Sequence, residues 1–343
     1  MVRNTTRLGL GYGQSWGLAP TLGVALSLGA ALGLAEGCAT GAGDGPGGGG
    51  PGGGPDGGEW LGDADPNSTP DGLCDERAKS IYLVSRQGEG NPAKLVRFEP
   101  ASKTFTEVGE IVCEGETTQP YSMGVRRDGT AEMVFASGHI HYVSTLDASC
   151  TPSAWPTTGV NNYKLFGMGY ASDEAGGDTE TLFLGASPDT KETDAILMAR
   201  LAKANVQAAE ATPLATSFPS YTPELTGNGK GELWGFRPAY TYYRPPPAAG
   251  TPDGPHPAAV FRFNKADGSV AEKFELPSLP DFSAFAFAHW GGRYYIFLGS
   301  NGGSTNVWEF DPETGGVVSY VPNTGLNVVG AGVSTCAPVV PVL

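Results

Sequence analysis

The sequence predicts an all-β domain, a five-bladed β-propeller whose last strand closes the ring on the first blade. Three observations predict it: strand triplets recur along the chain, a strand of small residues precedes nearly every triplet, and one strand without a partner ends the chain. Repetition of one supersecondary unit is typical of propellers, whose blades are four-stranded sheets around a common axis. The alternative is an open β-sandwich with coincidental spacing.

The composition limits the size of the folded domain and the kinds of partner that it can bind. The 343-residue chain has 21 Lys and Arg against 36 Asp and Glu, a net charge of −15 at pH 7. Phosphate recognition needs a basic footprint, so this charge opposes binding to nucleic acid or to anionic lipid headgroups. Residues 74–338 alternate apolar and polar residues between turn residues, which is an all-β signature. This segment is long enough to bury the core of one domain.

Residues 1–37 predict an export signal of the lipoprotein type. Arg3 and Arg7 precede an uncharged segment, Leu18 to Ala35, that is too short and too glycine-rich for a membrane-spanning helix. The segment leads into Ala35-Glu36-Gly37-Cys38, which is similar to a bacterial lipobox although Glu36 is unusual there. We therefore expect a lipid on Cys38. Cleavage by ordinary signal peptidase, which would give a secreted soluble protein, is the alternative.

Residues 38–73 predict a disordered tether, and residues 339–343 a short C-terminal tail. The stretch from Gly41 to Gly58 has twelve glycines in eighteen residues and cannot bury enough apolar surface to fold. A Gly-rich coil of this length spans roughly 30 Å on average. The acids from Asp63 to Asp71 hint at a calcium loop, but Ser68 and Cys74 stand where glycine and glutamate are needed. A solvated acidic linker is the better interpretation.

Strand triplets start at residue 81. The first copy is Ile81–Ser85, Lys94–Pro100 and Thr104–Gly109, and the clearest is Arg293–Gly299, Asn306–Pro312 and Gly316–Val321. Turns such as Phe-Glu-Pro-Ala-Ser-Lys and Phe-Asp-Pro-Glu-Thr-Gly are interchangeable between copies, and both contain the residues that hairpin loops require.

Strands of small residues precede the later triplets: Ser122–Val125, Leu165–Tyr170, Leu225–Gly229 and Ala284–Ala288. Gly and Ala at these places indicate crowded backbones, as expected of the innermost strands around a propeller axis. The first triplet lacks such a strand, and Val328–Val333 is of the right type to supply it. Its pairing with Ile81–Val84 would satisfy both backbones and close five blades into a ring.

The cysteines fit an exported, oxidised chain. After Cys38 there are Cys74, Cys113, Cys150 and Cys336, which allow three pairings. In the propeller, Cys74 before the first strand and Cys336 after the last lie at the same end of one blade. We therefore expect a Cys74–Cys336 disulfide, and Cys113–Cys150 by elimination.

Four stretches carry a family resemblance: Tyr121–Gly129, Val143–Cys150, Phe166–Tyr170 and Gly330–Cys336. They resemble a set of secreted, propeller-type lipoproteins that are abundant in myxobacteria, and the resemblance covers roughly residues 74 to 338. It implies a lipoprotein of the cell envelope, at the outer membrane or cell surface, of largely unknown function. It carries over no catalytic residues.

Residues suited to catalysis or metal binding are few. His139 and His141 share one strand face, but no third ligand is evident in sequence, so we interpret them as a half-exposed pair and predict no metal site. There is no Gly-x-Ser-x-Gly elbow, and the inner strands lack the two carboxylates of a glycosidase, Glu224 being the exception. We therefore expect no catalysis and no cofactor. The enzymatic alternative is a polysaccharide hydrolase or lyase on the face where the longer loops emerge, with calcium held by Asp173, Glu174 and Asp178.

Aromatic residues recur on the face where the longer loops emerge. One loop contains Tyr240, Tyr242, Tyr243 and Arg244, and further aromatics stand where the chain comes into the blades: Tyr121, Tyr163, Tyr221 and Phe282. Aromatics on loops suit stacking on sugars or polyproline-like peptides. The alternative is that they wedge adjacent blades together, which we favour for the second group. The sequence predicts a monomeric, non-enzymatic surface module that binds a glycan or protein partner.

Overall fold

The computed structural model describes residues 74–88, 90–188, 198–220, 222–239, 257–280, 282, 284–299 and 303–342. Within these ranges the chain forms a short 3-10 helix, Glu76–Lys79, and twenty strands in five four-stranded antiparallel sheets. The prediction of a five-bladed, all-β propeller is confirmed. The predicted signal, Cys38 and the tether lie outside the described residues.

Each sheet is one blade, and in blades 2 to 5 the first strand in the chain is nearest the axis. Blade 1 contains β1 (Ile81–Ser85), β2 (Lys94–Glu99) and β3 (Thr104–Glu110). Blade 2 contains β4 (Pro120–Val125), β5 (Thr130–Phe135), β6 (Ile140–Ser144) and β7 (Cys150–Pro152). Blade 3 contains β8 (Gly167–Ser172), β9 (Glu180–Ala186), β10 (Met198–Asn205) and β11 (Glu210–Pro219). Blade 4 contains β12 (Glu224–Gly227), β13 (Leu233–Arg237), β14 (Ala258–Phe263) and β15 (Val270–Leu276). Blade 5 contains β16 (Ala284–Trp290), β17 (Arg293–Gly299), β18 (Asn306–Phe310) and β19 (Val317–Val321).

The last strand, β20 (Val328–Gly332), completes blade 1 and closes the ring. It pairs antiparallel with β1 and becomes the inner strand of that sheet, with Leu83 opposite Ala331 and Val84 opposite Gly330. The disulfide Cys74–Cys336 pins the same closure, with a Cα–Cα distance of 5.8 Å. The chain thus supplies from its far end the strand that the first triplet lacks.

The hydrophobic core is divided among the five interfaces between neighbouring blades. Each interface buries one cluster of apolar side chains from the two facing sheets. Phe98 of blade 1 packs edge-on against Phe297 of blade 5, with ring centroids 5.8 Å apart, at the interface that closes the ring. Burial of alternating strand residues on both faces of each sheet explains why no single central core is needed.

The inner strands approach one another so closely that glycine is required. A Cβ atom on Gly167 of β8 would lie 2.0 Å from the carbonyl oxygen of Pro223, and one on Gly227 of β12 would lie 2.3 Å from that of Tyr170. These contacts are between backbones, so no side-chain rotation relieves them. The small residues of the inner strands therefore set the width of the ring.

Two faces result. Short turns between the first and second strands of each blade form the tight-turn face, which includes residues 126–129, 173–179, 228–232 and 291–292. The connections between blades and those between second and third strands form the loop-rich face, which includes residues 86–88, 111–119, 136–139, 153–166 and 322–327. In the described part of the chain, no helix is long and apolar enough to cross a membrane.

Candidate functional site

A buried acid connects three inner strands at their loop-rich end. Glu224 begins β12, and its Oε2 accepts a hydrogen bond from Ser122 Oγ of β4 at 2.8 Å, across the width of β8. The amide of Met168 on β8 donates to the same Ser122 oxygen at 3.2 Å, so three inner strands meet here. Burial raises the pKa of Glu224 to about 8, against the opposing effect of the Ser122 hydrogen bond. Glu224 is therefore a protonated acid at neutral pH.

A buried arginine connects three blades at the opposite, tight-turn end. Arg127, in the turn after β4, donates from Nε to Thr335 Oγ1 at 2.8 Å and from Nη2 to Ser172 Oγ at 2.7 Å. Glu180 completes the cluster, because its Oε1 accepts the backbone amide of Arg127 at 3.1 Å and its Oε2 accepts the hydroxyl of Thr335 at 2.7 Å. Burial raises the pKa of Glu180, while hydrogen bonds from Thr335 and Arg127 lower it. The cluster joins blades 1, 2 and 3.

Glu224 is 3% exposed, and no other charged group contributes to its pKa shift. Glycoside hydrolysis needs an acid and a base or nucleophile about 5–10 Å apart. Among the described residues, Glu224 therefore has no second carboxylate that couples to it electrostatically, and its contacts are structural ones between inner strands.

A groove of about 640 Å³ opens on the loop-rich face between blades 1 and 5. Its lining is mostly polar and includes Arg86, Gln87 and Asn327 as well as the half-buried ring of Phe105. Lys94 and Glu107 form an ion pair of 2.9 Å within it. The residues come from the β1–β2 and β19–β20 connections and from the outer strands β2 and β3, among others. Hydrogen-bond donors and acceptors thus surround one aromatic surface.

The opposite face has a second groove, between blades 4 and 5, of about 510 Å³. The ring of His289 borders it, packed edge-on against Tyr294 with centroids 5.2 Å apart. Burial, with a smaller effect of Lys230, lowers the pKa of His289 to about 3, so the ring is neutral. Its Nδ1 has no partner in the described part of the chain. The ring is 1% exposed, and the Thr226 hydroxyl oxygen accepts from the backbone amide of the same residue at 3.1 Å.

A third cluster lies on the loop-rich face of blade 2. His139 and His141 pack with ring centroids 4.4 Å apart, and Glu116 Oε2 is 3.6 Å from His141 Nε2. Burial and the neighbouring His139 lower the pKa of His141, so its imidazole is neutral at pH 7. Burial raises the pKa of Glu116, but hydrogen bonds from Ser137 and Thr118 outweigh that effect, and the carboxyl stays ionised. The structure places Glu116 beside the two histidines, which the sequence did not indicate, and His141 is buried and not half-exposed. The absence of a metal site stays a prediction.

The predicted site residues fall into three groups. Tyr163 is fully buried, and its hydroxyl donates to the carbonyl oxygens of Arg200 and Leu201, so it packs between blades and does not reach a ligand. Tyr121 is half-buried against the interface of blades 2 and 3. Both observations favour wedging over ligand binding. Five predicted residues lie outside the described part of the chain: Tyr221, Tyr240, Tyr242, Tyr243 and Arg244.

Both expected disulfides are present. Cys113–Cys150 has a Cα–Cα distance of 5.1 Å and links the β3–β4 connection to β7 within the neighbourhood of His141. The proposed calcium ligands Asp173 and Glu174 lie on the tight-turn face. The ammonium of Lys265 donates to the carbonyl oxygens of Ser172 and Asp173, where a cation would compete with it. Calcium at these acids stays a prediction that this contact disfavours.

Comparisons with known proteins add little. No protein-family model matches the chain, and no curated protein is matched by it. Among solved structures, the chain is similar to TolB from Acinetobacter baumannii, with a TM-score of 0.41 and 12% sequence identity. That match covers 73% of this chain and 55% of the TolB chain, so the chain spans about half the length of that protein. A similarity this distant carries no conclusion about function.

Proposed function

We propose that this chain is a cell-envelope-anchored, non-enzymatic binding module that takes up a glycan on its loop-rich face. The observation that carries the proposal is the groove between blades 1 and 5 on the loop-rich face. It is the larger of the two grooves described above.

The chemistry of the groove favours a sugar over other ligands. Its volume of about 640 Å³ falls in the range of small-ligand sites, which holds an oligosaccharide of a few units. Gln87, Asn327 and Ser304 offer amide and hydroxyl groups suited to sugar hydroxyls, and Phe105 offers an apolar surface for a pyranose ring. Arg86 is exposed at the rim, and no described residue pairs with its guanidinium. The net charge of −15 opposes a polyanionic ligand.

Anchoring is the second part of the proposal. Two disulfides fit a chain that folds in an oxidising compartment outside the cytoplasm. Cys38 follows a lipobox-like segment, and a diacylated cysteine there would hold the protein to a membrane. The tether of residues 38–73 would then place the propeller roughly 30 Å from the lipid. A monomer on such a tether can present its loop-rich face freely.

Glycan-array binding of the purified propeller tests the proposal. We expect a defined set of glycans to bind, and Arg86→Ala to weaken binding at least about tenfold without changing Tm, since the residue is exposed. Arg97→Ala is the matched control, because Arg97 is also exposed on blade 1 and pairs with Glu99. A combined Tyr240→Ala, Tyr242→Ala and Tyr243→Ala variant tests the predicted aromatic loop separately.

Two results would contradict the proposal. One is an array without binding together with capture of a single envelope protein in a pull-down, which would make the partner a protein. The other is turnover on a panel of polysaccharides, which would make the chain a hydrolase or lyase.

A further inference from the structure

Two imidazoles and one carboxylate converge on the loop-rich face of blade 2. One ligand atom each from Glu116, His139 and His141 lies within 4.8 Å of the other two. Around a tetrahedral ion with bonds of about 2.0–2.1 Å, neighbouring ligand atoms are about 3.3 Å apart, so modest side-chain rotations suffice. We propose that these three residues form a binding site for a divalent transition-metal ion of the zinc class.

The His141 ring is the strongest reason for an ion. It is 1% exposed, and neither of its ring nitrogens has a hydrogen-bond partner in the described part of the chain. Its Nε2 lies 3.6 Å from Glu116 Oε2, which is beyond hydrogen-bonding distance. Buried polar groups without partners are unfavourable and rare. An ion bound between this nitrogen and the carboxylate would give the nitrogen the partner that it lacks.

Neighbouring groups hold the other two ligands as a metal site requires. The backbone amides of Thr117 and Thr118 donate to Glu116 Oε1 at 2.9 and 2.7 Å, and Ser137 Oγ donates to Oε2 at 2.7 Å. His139 Nε2 lies 3.3 Å from the carbonyl oxygen of Ser153. Because a carbonyl only accepts, Nε2 carries the proton and the other ring nitrogen keeps its lone pair. Ligating histidines usually have such a partner behind the ring.

The topology explains why ligands distant in sequence meet. Glu116 lies in the connection from β3 to β4, whereas His139 and His141 lie at the end of the β5–β6 turn and in β6. Both connections emerge on the loop-rich face of the same blade. The Cys113–Cys150 disulfide fixes the Glu116 segment to β7, three residues before Glu116. The Glu116 side chain is 5% exposed, whereas the half-buried His139 lies at the solvent side of the cluster.

The donor set selects the class of ion. Two imidazole nitrogens and one carboxylate oxygen suit zinc and its neighbours in the first transition row, whereas calcium and magnesium prefer oxygen ligands alone. The sulfur atoms near His141 belong to a disulfide and are not thiolates. Three protein ligands leave a fourth position for water or for a group from a bound partner.

Isothermal titration and thermal unfolding of the exported, metal-stripped chain test this site. The chain should be without a polyhistidine tag, and thiol reductant should be absent so that the disulfide persists. We expect one Zn²⁺ per chain, and a rise in Tm of about 5–10 °C at about one hundred times the Kd. Ca²⁺ should produce neither effect.

Two variants and one control decide the assignment. Glu116→Gln and His139→Gln should each weaken Zn²⁺ binding at least about tenfold. Glu114→Gln, an exposed acid two residues away in the same connection, should bind as the native chain does. Circular dichroism checks that each variant folds, and the half-buried His139 serves as the test if Glu116→Gln does not. Absence of Zn²⁺ binding to the native chain, or binding by both variants as tight as that of the native chain, would overturn the site.

Discussion

Ser122 Oγ on β4 donates to Glu224 Oε2 on β12 at 2.8 Å, over the intervening inner strand of blade 3. The contact joins two blades that are not neighbours in the ring, and both residues are buried. Because Glu224 is the first residue of its strand, the contact lies at the loop-rich end of the axis. An acid that would be charged in water is thus used as a neutral structural group.

Glu224 should make the propeller less stable as the pH rises. Its pKa in the folded chain is about 8, above its ordinary value of 4.5. The folded state therefore holds a proton that the unfolded state releases, so stability is full below the ordinary pKa and falls as the pH rises from about 4.5 to 8. Glu224→Gln removes this titration, so its Tm relative to the native chain should increase between pH 5 and pH 8.5 in calorimetry.

Glu114→Gln is the control for that series, since Glu114 is exposed and its Tm difference from the native chain should change little. A Tm difference for Glu224→Gln that stays constant with pH would mean that Glu224 is ionised in the folded ring.

The architecture was predictable because local patterns repeat five times. Turn residues and alternating apolar residues mark each hairpin, and inner-strand glycines mark the axis, so the identity of β20 followed from the one triplet without an inner strand. The disulfide that closes the ring followed from the same topology. Such inferences need only the order of elements along the chain, not the packing of side chains.

The metal cluster shows what a sequence does not reveal without its topology. His139 and His141 were visible as a pair, but Glu116 is 23 positions earlier in the sequence and belongs to a different connection. The predicted topology does indicate where Glu116 lies, because connections between blades and connections between second and third strands emerge on one face. The hydrogen bonds of Glu224 and Arg127 between inner strands could not be predicted from the sequence, since they depend on side-chain directions.

Gly167→Ala should destabilise the propeller strongly. The added Cβ would lie 2.0 Å from the carbonyl oxygen of Pro223, and only a shift of an inner strand relieves this contact. Overpacking of this kind costs about 3 kcal/mol or more. Gly316→Ala is the control, because its nearest neighbour is the rotatable Thr314 hydroxyl at 3.2 Å, and we expect a change within about 1 kcal/mol. Urea unfolding measures both, and equal effects would refute the crowding of the inner strands.

Arg127→Ala should cost about 3–5 kcal/mol, because it leaves Glu180 buried without its charged partner and removes the donors to Ser172 and Thr335. Arg127→Lys keeps the charge but loses the planar fork, so an intermediate loss is expected. In a double-mutant cycle by urea unfolding, Glu180→Gln should reduce the effect of Arg127→Ala. Independent, additive losses would show that the two residues are not coupled.

Cys38→Ala should release the protein from the membrane if the proposed anchor exists. Without a cysteine, the lipobox-like segment has no site for a diacylglycerol, and the rest of the chain is acidic and does not attract anionic lipid. We expect the native chain in the membrane fraction, labelled by radioactive palmitate, and the variant in the soluble fraction without label. Ser68→Ala in the tether is the control. Equal fractionation of native chain and variant would favour ordinary signal cleavage and a soluble product.

The closure of the ring should make residues 326–343 essential to the whole domain. Deleting them removes β20, so the backbone of β1 from Tyr82 to Ser85 loses its inner partner, and the contacts that β20 makes with blades 2 and 5 are lost. We expect no cooperative unfolding transition in the truncated chain, whereas a short deletion after Val340 should be tolerated.

Removal of the two disulfides tests the same closure in a graded way. Cys74–Cys336 spans 262 residues and Cys113–Cys150 spans 37. Loop-closure entropy then predicts that the Cys74→Ala, Cys336→Ala pair destabilises the chain by about 1.7 kcal/mol more than the Cys113→Ala, Cys150→Ala pair in urea unfolding. A truncated chain that unfolds cooperatively, with equal losses from the two disulfide variants, would show that the ring does not depend on this strand.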